Sequence, residues 1–191
     1  MTCLILGLLL FLGIHSIAIV APGWRDRTVA RMGEGPWKGL YSLISIAGFV
    51  LLIWGYGLSR QQPMVLYSPP VWTRYLASVL MLPAFPLLLA AYLPGRIRAA
   101  LKHPMLAAVM LWALAHLVSN GTLADVLLFG AFLVWAVADR MSFKHRPARA
   151  IRPAPTSSLN DVIAVAAGLA IYVVFALRLH ARWIGVSPLP M

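Results

Sequence analysis

Charge is what this chain has least of. Only 11% of its 191 residues are Asp, Glu, Lys or Arg, against about 25% in soluble proteins. Acid is scarcest, with five carboxylates in all and Glu34 the single glutamate. That leaves no paired carboxylates for general acid–base work, and there is no H-E-x-x-H and no Gly-rich phosphate loop. Cys3 is the only cysteine, which excludes an internal disulfide and a Cys-based metal site. Apolar residues fill the space that charge leaves, at 61% of the chain and a mean hydropathy of +0.84. A soluble enzyme, a secreted domain and a disordered chain are thereby excluded, and the sequence is that of an integral protein of the lipid bilayer.

Sixteen Lys and Arg give a net charge of +11. They lie in short runs between apolar stretches, the pattern that fixes membrane orientation rather than one that grips nucleic acid. Residues 1–24 carry no charge, so they lack the basic start of a signal peptide. No A-x-A-like cleavage site follows, and the segment is expected to stay as a span.

Cutting the chain at its charges and turn residues predicts an all-α, polytopic transmembrane bundle of about six spans in one domain, 1–191. The spans are Cys3–Ala21, Gly39–Ser59, Val71–Leu93, Pro104–Ser119, Thr122–Arg140 and Asn160–Leu179. Crossing the hydrocarbon takes about 20 residues, so the fourth and fifth form a short hairpin, broken at Ser119-Asn120-Gly121-Thr122. Pro83 and Pro86 are expected to bend the third, and Asn160 to cap the sixth. A polar, Pro-rich linker covers Ser142–Ser158.

Loops one, three and five hold twelve basic residues: Arg25, Arg27, Arg31 and Lys38, then Arg96, Arg98 and Lys102, then Arg140, Lys144, Arg146, Arg149 and Arg152. The other side holds Arg60, Arg74, Arg178 and Arg182. Basic loops stay in the cytoplasm, so both termini are expected on the outer side. Trp24, Trp37, Trp54, Trp72 and Trp183 fall near span ends, as an aromatic belt places them.

Polar residues inside the spans are few and are the candidates for function. His15 sits in the first span among Gly13, Ser16 and apolar neighbours. His116 sits in the fourth, beyond Trp112. His103 opens that span and His180 closes the sixth, while His145 belongs to the basic linker and reads as solvated. Two imidazoles on different helices are a common way for a membrane bundle to hold haem b, since neutral imidazole ligates iron. His15 and His116 are the preferred ligands, and helix-to-helix hydrogen bonding is the alternative role. His103 and His116 are 13 residues apart, about 20 Å along a helix, and cannot share one iron. His15 and His116 differ in expected depth by roughly 9 Å, which helix tilt has to absorb. Asp139 reads as an ion-pair partner of Arg140 or of a neighbouring basic loop. Met105 and Met110 read as packing.

The runs Phe11-Leu12-Gly13-Ile14-His15-Ser16 and Gly35-Pro36-Trp37-Lys38-Gly39-Leu40-Tyr41-Ser42-Leu43, with His103-Pro104-Met105, Trp112-Ala113-Leu114-Ala115-His116 and His180-Ala181-Arg182-Trp183-Ile184-Gly185-Val186, strongly resemble the NnrU family. That resemblance implies a multi-pass protein of the bacterial inner membrane, linked to nitrite and nitric oxide reduction in denitrification; the outer side predicted for the termini is then the periplasm. Components of nitrogen-oxide reductases are then the implied partners. More distantly, the chain is similar to 15-cis-zeta-carotene isomerase, whose likeness covers Lys102-His103-Pro104, Trp112–His116 and Ala138-Asp139-Arg140. It implies haem held through His116, with His15 the candidate second ligand. Ala113 replaces the isomerase's ligand cysteine, which removes a His/Cys ligand exchange. A weaker echo of isoprenylcysteine methyltransferases rests on His103-Pro104 with Asp139, Arg140 and Lys144, and lacks their glutamate. A cofactor-free accessory or assembly factor is the contrasting reading, and the sequence leaves enzymatic turnover open.

Overall fold

The computed structural model describes residues 1–146 and 154–189. Every regular element among them is helical, and the only strand-like pairing is a single bridge between Val65 and Thr122. In chain order the helices are α1 (Thr2–Val20), α2 (Pro22–Met32), α3 (Glu34–Ser59), α4 (Trp72–Met81), α5 (Ala84–Ala90), α6 (Arg96–Leu101), α7 (Pro104–Ser119), α8 (Leu123–Ser142), α9 (Asn160–Val174) and α10 (His180–Ile184). A π-helical turn, Phe175–Leu179, joins α9 to α10.

Four helical stretches are long and apolar enough to cross a membrane: Thr2–Val20, Glu34–Ser59, Trp72–Ala90 and Asn160–Ile184. Helices stand at the positions expected for spans four and five, but α7 has only 16 residues and α8 carries Asp125, Asp139 and Arg140. Leu9, Leu43, Ile46, Ile53 and Trp54 are each about 60% exposed or more. Side chains of that size on a helix surface fit a lipid environment, where apolar exposure costs nothing.

Several boundaries differ from the sequence expectation. The second span begins at Glu34 rather than Gly39, because Gly33 takes a positive φ of 87° and Glu34 pairs with Lys38 one turn on, at 2.6 Å. The stretch after the first span is helical from Pro22, whose fixed φ suits a first helical turn. The third span is interrupted at Leu82-Pro83, where a proline ring cannot continue the hydrogen-bond ladder. Asn160 is not a cap but the first residue of α9; it is 4% exposed, and its side chain donates to the carbonyls of Pro94 (2.8 Å) and Pro155 (3.1 Å). Arg149, Arg152 and the middle of the expected linker lie outside the described residues.

The chain divides into two compact units, Met1–Leu66 with Thr122–Arg146, and Tyr67–Gly121 with Pro147–Met191. In the first, α1 and α3 pack so closely that glycines form the contact. A Cβ on Gly48 would stand 2.7 Å from the Phe11 nitrogen, and one on Gly55 would run into the backbone of Cys3 and Leu4. Leu4, Leu8, Leu52 and Ala124 form the buried core there, flanked by Phe11, Tyr56 and Phe132. At its edge the Thr122 and Asp125 side chains cap α8 reciprocally, and Tyr56 donates to Asp125 at 2.6 Å. In the second unit α5 meets α9 where Gly168 faces Pro86, and the Asp161 carboxylate accepts the Arg96 and Ile97 amides at 2.7 and 3.2 Å.

These contacts give a direct test. Gly55→Val forces a branched side chain against backbone that cannot yield, at a cost of about 1–3 kcal/mol or more. The melting temperature of the detergent-solubilised protein should fall by roughly 5 °C or more. Gly57→Ala, at a position open for 4 Å around, should leave it unchanged.

Candidate functional site

The second unit brings two of the sequence's histidines together. His116 of α7 and His180 of α10 have ring centres 6.4 Å apart, with planes inclined by 26°. Both rings are half-buried. His116 Nδ1 lies 2.8 Å from the Trp112 carbonyl one turn earlier in its own helix. His180 Nδ1 lies 2.7 Å from the Val186 carbonyl. A carbonyl can only accept, so both rings carry their proton on Nδ1 and keep the lone pair on Nε2. Two imidazoles in that state have no proton to share with each other.

Two local devices set His180 in place. Its amide donates to the carbonyl of Phe175, five residues back, so the helix holds one extra residue in this turn. At about 100° per residue, that insertion turns His180 by more than a quarter of the helix circumference. Beyond it, Gly185 adopts φ 79° and ψ 12° and reverses the chain, which carries the Val186 carbonyl back to His180. Phe175 lies edge-on to both His180 (5.8 Å) and Trp183 (6.2 Å) and packs on Phe85 (5.6 Å). Trp112 lies 5.4 Å from His116. Ala113, where the isomerase has its cysteine, is fully buried.

His15 belongs to the first unit and has a different setting. Its Nδ1 lies 2.6 Å from the Phe11 carbonyl, and its ring is enclosed by Phe11 (4.3 Å), Tyr41 (5.2 Å) and Trp135 (6.0 Å, perpendicular). Asp139 lies within electrostatic reach of both His15 and Tyr41. Its carboxylate pairs with Arg146, the basic-loop partner, and both side chains of that pair are nearly buried. Arg140 stands exposed on the last turn of α8.

His103 sits at the start of α7, after Lys102 has taken φ 61° and ψ −43°. The His103 amide closes a three-residue turn onto the Leu101 carbonyl at 2.7 Å, a sparsely populated conformation for a residue with a Cβ. His145 is exposed. Among the described residues no group of three or more His, Cys, Asp or Glu side chains converges on a metal-sized space. Trp135, Tyr41 and the Val186 carbonyl were missed by sequence reasoning. The carbonyl has no side-chain signature, and the two aromatics look like ordinary span residues until their neighbours are known.

Gly185 is the position on which the His180 arrangement turns. Gly185→Ala puts a Cβ in the left-handed region, at a cost of about 1–2 kcal/mol, and α10 should fray. Tryptic cleavage at exposed Arg182 is then expected to quicken about fivefold or more in detergent. An unchanged rate would show that the reversal does not depend on the glycine.

The profile of one protein family, described as NnrU protein, matches residues 3–188, nearly the whole chain and both compact units. No curated protein and no solved structure matches. An all-helical chain with membrane-length apolar helices, the histidine-bearing runs and a match of this extent together place the protein in the NnrU family.

Proposed function

We propose that this NnrU protein is a haem b-binding protein of the bacterial inner membrane that works beside nitrite and nitric oxide reduction in denitrification. The observation that carries the haem reading is the His116–His180 pair. The ring centres lie 6.4 Å apart, and His116 and His180 are the residues that would hold the haem iron through imidazole nitrogens. The donor set fits as well, because each ring has its Nδ1 on a backbone carbonyl, the usual arrangement behind an imidazole ligand. Bound haem would supply a one-electron couple. The chain's part is to fix the tautomers, hold the rings at the right spacing and surround them with Trp112, Phe175 and Trp183.

His116 is a ligand in either pairing. The sequence reading pairs it with His15, whereas the second unit pairs it with His180, and the pair found within one unit is the one adopted. The link to denitrification rests on the family. The domain is taken as 1–191, because the family match runs through both units. The reading of six spans, with residues 104–140 as a short hairpin and both termini periplasmic, rests on charge-free runs of adequate length and the twelve-to-four division of basic residues. Reporter fusions after Ser158 and at Met191 should therefore report cytoplasm and periplasm respectively.

Haem content per chain tests the main reading. Protein purified after expression with ample haem should show a Soret band at about one haem per chain. His116→Ala and His180→Ala should each lower occupancy tenfold or more, and His15→Ala should leave the band in place. Loss of haem in His15→Ala with retention in His180→Ala would instead establish the His15–His116 pair. A colourless protein that co-purifies with reductase components would establish the cofactor-free assembly role.

A further inference from the structure

Helix α2 is a polar insertion where the first unit needs none. Helices α1 and α3 run antiparallel in glycine contact, Phe11 against Gly48 and Leu4 against Gly55, so a turn of about 2–5 residues would join them. The chain instead interposes a separate helix of 11 residues, Pro22–Met32. Both of its neighbours are long and apolar enough to cross a membrane, so a helix directly after α1 stands at headgroup level. One face of α2, with Arg25, Thr28 and Val29, is half-buried. There the Arg25 guanidinium lies over the buried Trp37 ring at 5.8 Å, and Trp24 meets that ring edge-on at 6.1 Å. The other face carries Trp24, Arg27 and Arg31, spaced i, i+3 and i+7 and all exposed. The basic residues of this region are not equivalent. Arg25 pairs with Asp26 at 2.9 Å and Lys38 with Glu34 at 2.6 Å, whereas Arg27 and Arg31 form no ion pair among the described residues. Arg27 reaches back along the helix, its Nη1 3.5 Å from where a Cβ on Gly23 would stand. Its guanidinium thus lies beside the turn that leaves α1.

We propose that this exposed face of α2 binds the headgroup phosphate of an anionic phospholipid, with Arg27 and Arg31 donating to it and the Trp24 indole seated beside the acyl chains. The proposal does not depend on haem. Three features select the ligand. A guanidinium fork matches phosphate oxygens two at a time. Two such groups one turn apart, without carboxylate partners, leave positive charge that an anionic headgroup neutralises; a zwitterionic headgroup brings a cation of its own. An exposed indole at the end of a span favours the boundary between headgroups and acyl chains, which selects a lipid over a dissolved phosphate.

The test uses full-length protein in detergent, titrated with dioleoylphosphatidylglycerol or dioleoylphosphatidylcholine, with bound lipid counted by native mass spectrometry. The first phosphatidylglycerol should bind roughly twentyfold more tightly than phosphatidylcholine, the worth of two basic residues at an anionic surface. Arg27→Gln and Arg31→Gln should each weaken phosphatidylglycerol binding about fivefold, and the double variant should bind the two lipids alike. Arg74→Gln, at an exposed arginine outside α2, should keep the wild-type preference. All these positions are on the surface, so the melting temperature should hold throughout. Equal affinity of the wild type for the two lipids, or the wild-type preference in the double variant, would overturn the proposal. So would displacement of phosphatidylglycerol by excess inorganic phosphate, which would assign the face to a soluble anion. Haem content, read on the same samples, reports separately on the reading above.

Discussion

An imidazole inside hydrocarbon has to place one N–H, and the rest of this molecule's chemistry depends on where it goes. Water is absent there, and an unmet donor costs more than the helix can spare. His15 and His116 both use the carbonyl four residues earlier in their own helix, at Phe11 and Trp112. That carbonyl already accepts a backbone amide but has a second lone pair. The solution is local, so it survives any change in how helices pack. His180 stands at a helix end and needs the chain to return, through Gly185, to bring it the Val186 carbonyl. In all three the proton sits on Nδ1 and the basic nitrogen is Nε2. A helical membrane protein thereby turns a structural debt into a set of oriented lone pairs.

The helical class, the breaks at Ala21-Pro22 and Ser119–Thr122, and the limits of Pro104–Ser119 are legible in the sequence. They depend on proline, glycine and runs of apolar residues, which act over a few positions. Helix α2 is not legible in the same way. Its three arginines read as a loop, although Pro22 at its start and spacing around the helix allow a polar helical turn. The start of α9 misleads for another reason. Asn160 is a good cap by type, but Pro94 and Pro155 offer it buried carbonyls, and those bonds draw it into the helix instead.

The site was half legible. Each histidine stands out because polar residues are rare in the spans. The partner of His116 does not, since His180 is 64 positions away and nothing local reports a contact of that separation. The π-helical turn that aims His180 has no residue signature either; Phe175-Ala176-Leu177-Arg178-Leu179 would serve equally well as α-helix. The depth difference expected between His15 and His116 follows from simple helix arithmetic, and Gly185 is legible because a glycine after a basic helix end signals a reversal.

The contrast between the two units follows from what each Nε2 faces. His116 has a second imidazole beside it, His180, with ring centres 6.4 Å apart and Nδ1 likewise on a backbone carbonyl. His15 faces phenyl, phenol and indole rings, whose edges carry partial positive charge and whose one N–H is unmet. The same residue type, solving the same problem with the same nitrogen, thus stands beside a second imidazole in one unit and among aromatic rings in the other.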